Sequence, residues 1–105
     1  MKKNYGMRDN LYNDLILLFE KDTTIEKVFL FGSRARGDYK NNSDIDLAFI
    51  FNNNCSDNYI KMLTKLEDIN TLYKFDVVDY NKINDIKFKQ EINKDKIILY
   101  EKNKS

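Results

Sequence analysis

Two apolar strands separated by a polar, glycine-bearing turn constrain this chain more than any other feature: VFLFGSRARGDYKNNSDIDLAFIF. The β-branched and aromatic run from Ile25 to Phe31 ends at Gly32-Ser33, and ten residues later Asp44-Ile45-Asp46 opens a second run reaching Phe51. Successive strand side chains alternate between faces. Asp44 and Asp46 therefore share one face, and Ile45, Leu47 and Phe49 line the other. One face can join a core while the other carries polar chemistry. Gly32 allows backbone to come close to a phosphate, and Ser33 offers both a hydroxyl and an N–H. A short helix beginning at Ser33 would add amides that favour an anion.

Hard carboxylate oxygens suit Mg²⁺, and two such ions roughly 4 Å apart can clamp an attacking and a leaving oxygen. Such a site needs a third acid, and Phe75-Asp76-Val77-Val78-Asp79 offers two on one short strand. Parity divides them: Asp76 shares a face with Val78, and Asp79 shares the opposite one with Phe75 and Val77. Asp76 is the expected third acid, because its place near the strand start matches that of Asp44 and Asp46 if the strands lie side by side. Asp79 reads as a strand-end solvent residue. Arg34 and Arg36 are left outside the catalytic set, either solvated, paired with Asp38, or touching a phosphate or partner. Ser33 can cap the following turn as readily as bind a phosphate.

The rest of the chain has no linker or repeat, so residues 1–105 are expected to form a single domain. Leu11, Leu15, Leu18 and Phe19 recur at helical spacing after Asn10, a candidate N-cap, which predicts a helix to about Lys21. Ile60, Leu63, Leu66, Ile69 and Leu72 recur every third residue and predict the longest helix with its buried face. A weaker helix from about Asn84 to Asn93, with Ile86 and Ile92, precedes a final strand from Lys96 to Tyr100. EKNKS reads as a frayed, solvated tail. The order α-β-β-α-β-α-β predicts an α+β fold, a small mixed sheet with helices on one face and the acids on the uncovered face.

Composition narrows the chemistry. The 105 residues include no histidine, which removes imidazole bases, imidazole-activated nucleophiles and imidazole zinc ligands together. Carboxylates and metal remain. A single cysteine, Cys55, allows no internal disulfide and no thiolate metal site, and fits a reducing cytoplasm. A net charge of +1 supplies no bulk field for general nucleic-acid binding or for a membrane surface. No stretch approaches the roughly 18 apolar residues of a membrane span, and the start lacks an apolar signal core. Cytoplasmic residence is the expectation. A chain this short has little room for an added substrate-recognition domain.

The string GSRARGDYKNNSDIDLAFIF resembles the minimal nucleotidyltransferase (MNT) domains of the DNA polymerase β-like superfamily, and FDVVDY, a short helix and KIILYEK resemble the remainder of that domain. The resemblance runs from about Leu11 to Lys102. It implies a polymerase β-like nucleotidyltransferase core, a nucleoside triphosphate donor, Mg²⁺ as cofactor, and Asp44, Asp46 and Asp76 as metal-binding catalytic residues. Gly32 and Ser33 would bind the nucleotide. Domains this small also resemble the antitoxin half of HEPN/MNT toxin–antitoxin pairs. There the MNT protein moves AMP from ATP onto a tyrosine of the HEPN toxin. Two other readings stand beside this one: a non-catalytic antitoxin that blocks its partner by contact, and a transferase for a small hydroxylated molecule.

Overall fold

The computed structural model describes residues 5–52, 56–69 and 71–102. Cys55 and the neighbouring Asn53 and Asn54 lie outside them, as do Asn70 and the last three residues of the tail.

Four strands form one sheet in the order β3-β2-β1-β4. They are β1 (Ile25–Phe31), β2 (Ile45–Phe51), β3 (Phe75–Asp79) and β4 (Ile97–Glu101). Strand β1 runs antiparallel to β2 and β4, and β2 runs parallel to β3. The sheet is therefore mixed, as the sequence predicts. The parallel pair requires a crossover, supplied by helix α3 (Ser56–Glu67). The other helices are α1 (Asp9–Lys21), a single turn α2 (Ser33–Arg36) and α4 (Ile86–Asp95), with a 3-10 turn at Tyr80–Lys82.

Strand alternation sorts the apolar residues into two clusters. Val28, Leu30, Ile45, Leu47, Phe49 and Val77 point to the side where α1 adds Leu11, Leu15 and Phe19 and α3 adds Met62 and Leu66. Phe19 meets Phe49 edge to face, with centroids 5.5 Å apart, a geometry adding about 0.5–1.5 kcal/mol beyond area burial. Phe29, Phe31 and Ala48 point to the opposite side and pack against Ile92 and Phe88 of α4. The helices thus do not all lie on one face. Phe29 and Phe31 leave too much apolar surface to face water, so α4 covers the middle of that side. The end beside Asp44 and Asp76 stays exposed, as does Ile98 of β4.

Several local details differ from the sequence expectation. Arg8, not Asn10, occupies the α1 N-cap; the Asn10 side chain accepts a bond from the Leu11 N–H within the first turn. Asp85 caps α4 by accepting from the Phe88 N–H at 3.2 Å. Among the described residues α1, with thirteen, is longer than α3, with twelve. The buried edge of α3 is Asn58, Met62 and Leu66, spaced by four, whereas Ile60 is 59% and Leu72 99% exposed. A period of three drifts around a helix of 3.6 residues per turn, so Ile60 and Leu66 cannot share one narrow face. Nor does the chain fray at residue 101. Glu101 belongs to β4 and pairs with Lys27 at 3.2 Å, and the Lys102 N–H donates to the Glu26 carbonyl at 2.9 Å. No helix among the described residues is long and apolar enough to cross a membrane.

Candidate functional site

The parallel pairing of β2 with β3 places Asp46 directly beside Asp76 in register, and antiparallel pairing with β1 places Phe31 on its other side. Asp44 lies one residue before β2, exposed. Asp76 is also exposed, and Asp46 is half-buried. Parity works as expected on β3. Val77 faces the α1/α3 core and Val78 the α4 side, so Asp76 projects with Asp46, while Asp79 does not.

These acids affect one another. Partial burial, followed by the charges of Asp76 and Asp44, pushes the Asp46 carboxyl up from 3.8 to about 6. A proton on Asp46 can be shared with Asp76, which adds to the rise, and the Arg36 cation opposes the shift from a distance. Among the described residues no three acids are already closed into a metal-ligating cluster. Asp46 and Asp76 meet, and Asp44 acts through space. The donor set nevertheless fits Mg²⁺: the ligands are hard oxygens, and the accumulated negative charge that raises Asp46 is what a divalent cation would relieve.

Gly32 closes the other wall. Its backbone angles, φ 75° and ψ −154°, belong to a region open essentially to glycine alone. A Cβ at this position would overlap the Asp46 carboxylate. Backbone and acid are therefore as close as the chain permits. Gly32, not Ser33, is the α2 N-cap, and Ser33 is the first helical residue. Among the described residues the Ser33 hydroxyl takes no hydrogen bond, so it is free for a ligand. Gly37, left-handed at φ 94°, ends the turn by donating to the Ser33 carbonyl at 2.9 Å.

Arg34 shows what sequence reasoning missed. It is 1% exposed. Its Nε and Nη2 donate to the Ser43 carbonyl at 3.2 and 2.9 Å, and its Nη1 donates to the Tyr5 carbonyl at 3.0 Å. The guanidinium also lies over the rings of Tyr39 and Tyr73, 5.1 and 5.0 Å from their centroids. It is neither solvated nor available to phosphate. By gripping the residue before Asp44, it anchors the loop that carries that acid into β2. The arginine had no local signal, since its partners come from positions 5, 39, 43 and 73. Arg36 takes the expected pairing with Asp38, at 3.1 Å, and adds Asp95 of α4 at 3.2 Å.

Known proteins share this fold. A search of curated proteins gives no match. Among solved structures, a chain of the toxin–antitoxin MntA-HpeT mutant complex superposes with a TM-score of 0.64 at 20% identity, covering 91% of this chain and 74% of its own. A toxin–antitoxin structure with AMP-PNP gives 0.60 at 19%, with 90% and 75% covered. A tri-AMPylated Shewanella oneidensis HEPN toxin in complex with its MNT antitoxin gives 0.59 at 19%, with 91% and 74% covered. At these identities the likeness concerns the fold. The family description "Polymerase beta, Nucleotidyltransferase" matches residues 13–105, spanning the glycine turn and all three acids. With strand order, turn and sequence match in agreement, this chain belongs to the polymerase β nucleotidyltransferase family.

Proposed function

We propose that this protein moves AMP from ATP onto a hydroxyl, a tyrosine hydroxyl, of a HEPN-type toxin, and thereby acts in the cytoplasm as its antitoxin. The carrying observation is the side-by-side placement of Asp46 and Asp76 on paired parallel strands, with the Gly32 backbone against Asp46. The complex of a tri-AMPylated HEPN toxin with an MNT antitoxin, which shares the fold, supports the choice of partner.

In this reading the triphosphate lies along Gly32-Ser33. Gly32 turns the backbone past Asp46 toward it, and the Ser33 hydroxyl donates to a phosphate oxygen. Asp44, Asp46 and Asp76 would hold Mg²⁺, as two ions. When bound, the metal neutralises phosphate charge and makes the acceptor hydroxyl more acidic. Asp76 orients that hydroxyl and accepts its proton. The acceptor oxygen bonds to the α-phosphorus, the bond to the bridging oxygen breaks, and pyrophosphate departs.

The test is transfer of label from α-phosphate-labelled ATP, with Mg²⁺, onto a HEPN-type toxin, sought first in the protein encoded beside this one. Label that appears with wild type and vanishes with Asp44→Asn supports the reading. A stable complex without label would replace it by inhibition through contact. Label on small hydroxylated acceptors in the absence of any partner would point to the third reading.

A further inference from the structure

Asp44 opens onto a groove of about 1240 Å³ that runs between α1 and residues 68–74, the segment leading into β3. The groove shares no lining residue with the recess, about 420 Å³, that α4 walls beside Gly32, so a triphosphate along Gly32-Ser33 leaves it clear. We propose that this groove seats an amphipathic helix of the protein that accepts the nucleotide, bringing its hydroxyl to the carboxylates at the Asp44 end. Such docking presupposes the nucleotidyl-transfer reading and names the surface on which the acceptor protein sits.

Shape is the first reason. On the α1 wall Asn10, Asp14, Leu17 and Lys21 follow one another at spacings of four, three and four, which keeps them on a single helical face for about 16 Å, some three turns of a docked helix. The groove also exceeds the roughly 300–1,000 Å³ of small-molecule sites. Its direction follows from Arg34, which bonds the Tyr5 and Ser43 carbonyls together. The N-terminal end of α1 is thereby held at the Asp44 end, and Leu17 lies roughly 13 Å farther along the helix than Arg8.

Chemistry is the second. Leu17 on one wall is 52% exposed, and Leu72 on the other 99%. Two large aliphatic side chains facing one groove with nothing over them are the anchors that the apolar face of a helix covers. Each sits between an acid and a lysine: Asp14 and Lys21 flank Leu17, and Asp68 and Lys74 flank Leu72. None of these four joins an ion pair among the described residues. The complementary surface is an apolar stripe edged by charges of both signs, as an amphipathic helix presents. A nucleic acid would meet Asp14, Asp68 and Asp44 with like charge.

The experiment measures label transfer from α-phosphate-labelled ATP, with Mg²⁺, over a range of concentrations of a HEPN-type toxin, together with ATP affinity, for wild type, Leu17→Glu, Leu72→Asp and Ile60→Glu. All three positions are exposed, so the variants fold, and Ile60 lies outside the groove. Leu17→Glu and Leu72→Asp each raise the KM for the toxin about tenfold, the loss of one apolar anchor, and leave kcat and ATP affinity unchanged. Ile60→Glu moves none of the three. A KM unchanged by both leucine substitutions, or raised equally by Ile60→Glu, overturns the docking groove while the transferase reading stands. Self-association of wild type that both leucine substitutions abolish at unchanged KM also overturns it, in favour of a second copy. Wild type that labels no HEPN-type toxin overturns both.

Discussion

Gly32 and Asp46 are in mutual steric contact: the side chain that glycine lacks would occupy the space of the Asp46 carboxylate. An acid on β2 thereby dictates the residue that follows β1. Gly32→Ala meets two penalties, a backbone conformation costing about 1–3 kcal/mol for other residues and displacement of the carboxylate. The variant should lose that much stability in urea denaturation. In an Asp46→Ala background the loss should shrink but not vanish, because the backbone strain remains. An identical loss in both backgrounds would disprove the contact.

Stability without divalent cations should depend on pH through Asp46. Its carboxyl is raised from 3.8 to about 6, so the protonated form is the one the fold favours. Its contribution is complete below about pH 4, is lost as pH rises through 6, and stays lost above. Asp46→Asn removes that dependence and should melt several degrees higher than wild type at pH 7.5 in EDTA, corresponding to about 1 kcal/mol after discounting for solvent screening of a half-exposed group. Equal melting temperatures at pH 7.5 would remove the electrostatic argument.

Mg²⁺ should reverse this order. A cation bound only by the folded state stabilises it by about 2.7 kcal/mol at a hundred times its dissociation constant. Wild type should therefore gain melting temperature on Mg²⁺ titration, and Asp46→Asn and Asp76→Asn should gain far less. A similar gain in all three proteins would place the ion elsewhere.

Arg34→Lys retains the charge but not the fork that serves the Ser43 and Tyr5 carbonyls together. With buried acceptors left unmatched, it should cost about 2–4 kcal/mol in denaturant unfolding. Transfer activity should also fall at temperatures where the variant remains folded, because Asp44 follows the residue that Arg34 holds. A neutral substitution would show that the clamp does not matter.

The phase of α3 is testable on two neighbours. Met62 is fully buried, and Met62→Ala should cost about 2–5 kcal/mol. Ile60→Ser, at an exposed position, should stay within about 0.5 kcal/mol. Comparable losses at both positions would restore the period-three face.

Legibility followed the range of the interaction. Strands β1, β2 and β3 could be read because alternation is local, and it assigned the faces of Ile45, Asp46 and Asp76 directly. Helix α3 was legible as a helix but not in phase, because its string of leucines and isoleucines supplies more apolar residues than one face accepts. The side of the sheet taken by α4 was not legible at all, since Ile92 and Phe88 carry no mark of the strand face they cover.

By itself, then, the sequence determined the glycine turn, the paired acids, the parity of the third acid, and hence the family and class of chemistry, all properties of residue type and short spacing. Tertiary structure alone decided that Asp46 sits in register with Asp76, that Arg34 is a buried clamp and not a phosphate ligand, and that α4 walls a recess beside Gly32. These depend on strand pairing and on partners up to 59 positions away, brought together by burial of the apolar faces, which no local pattern encodes.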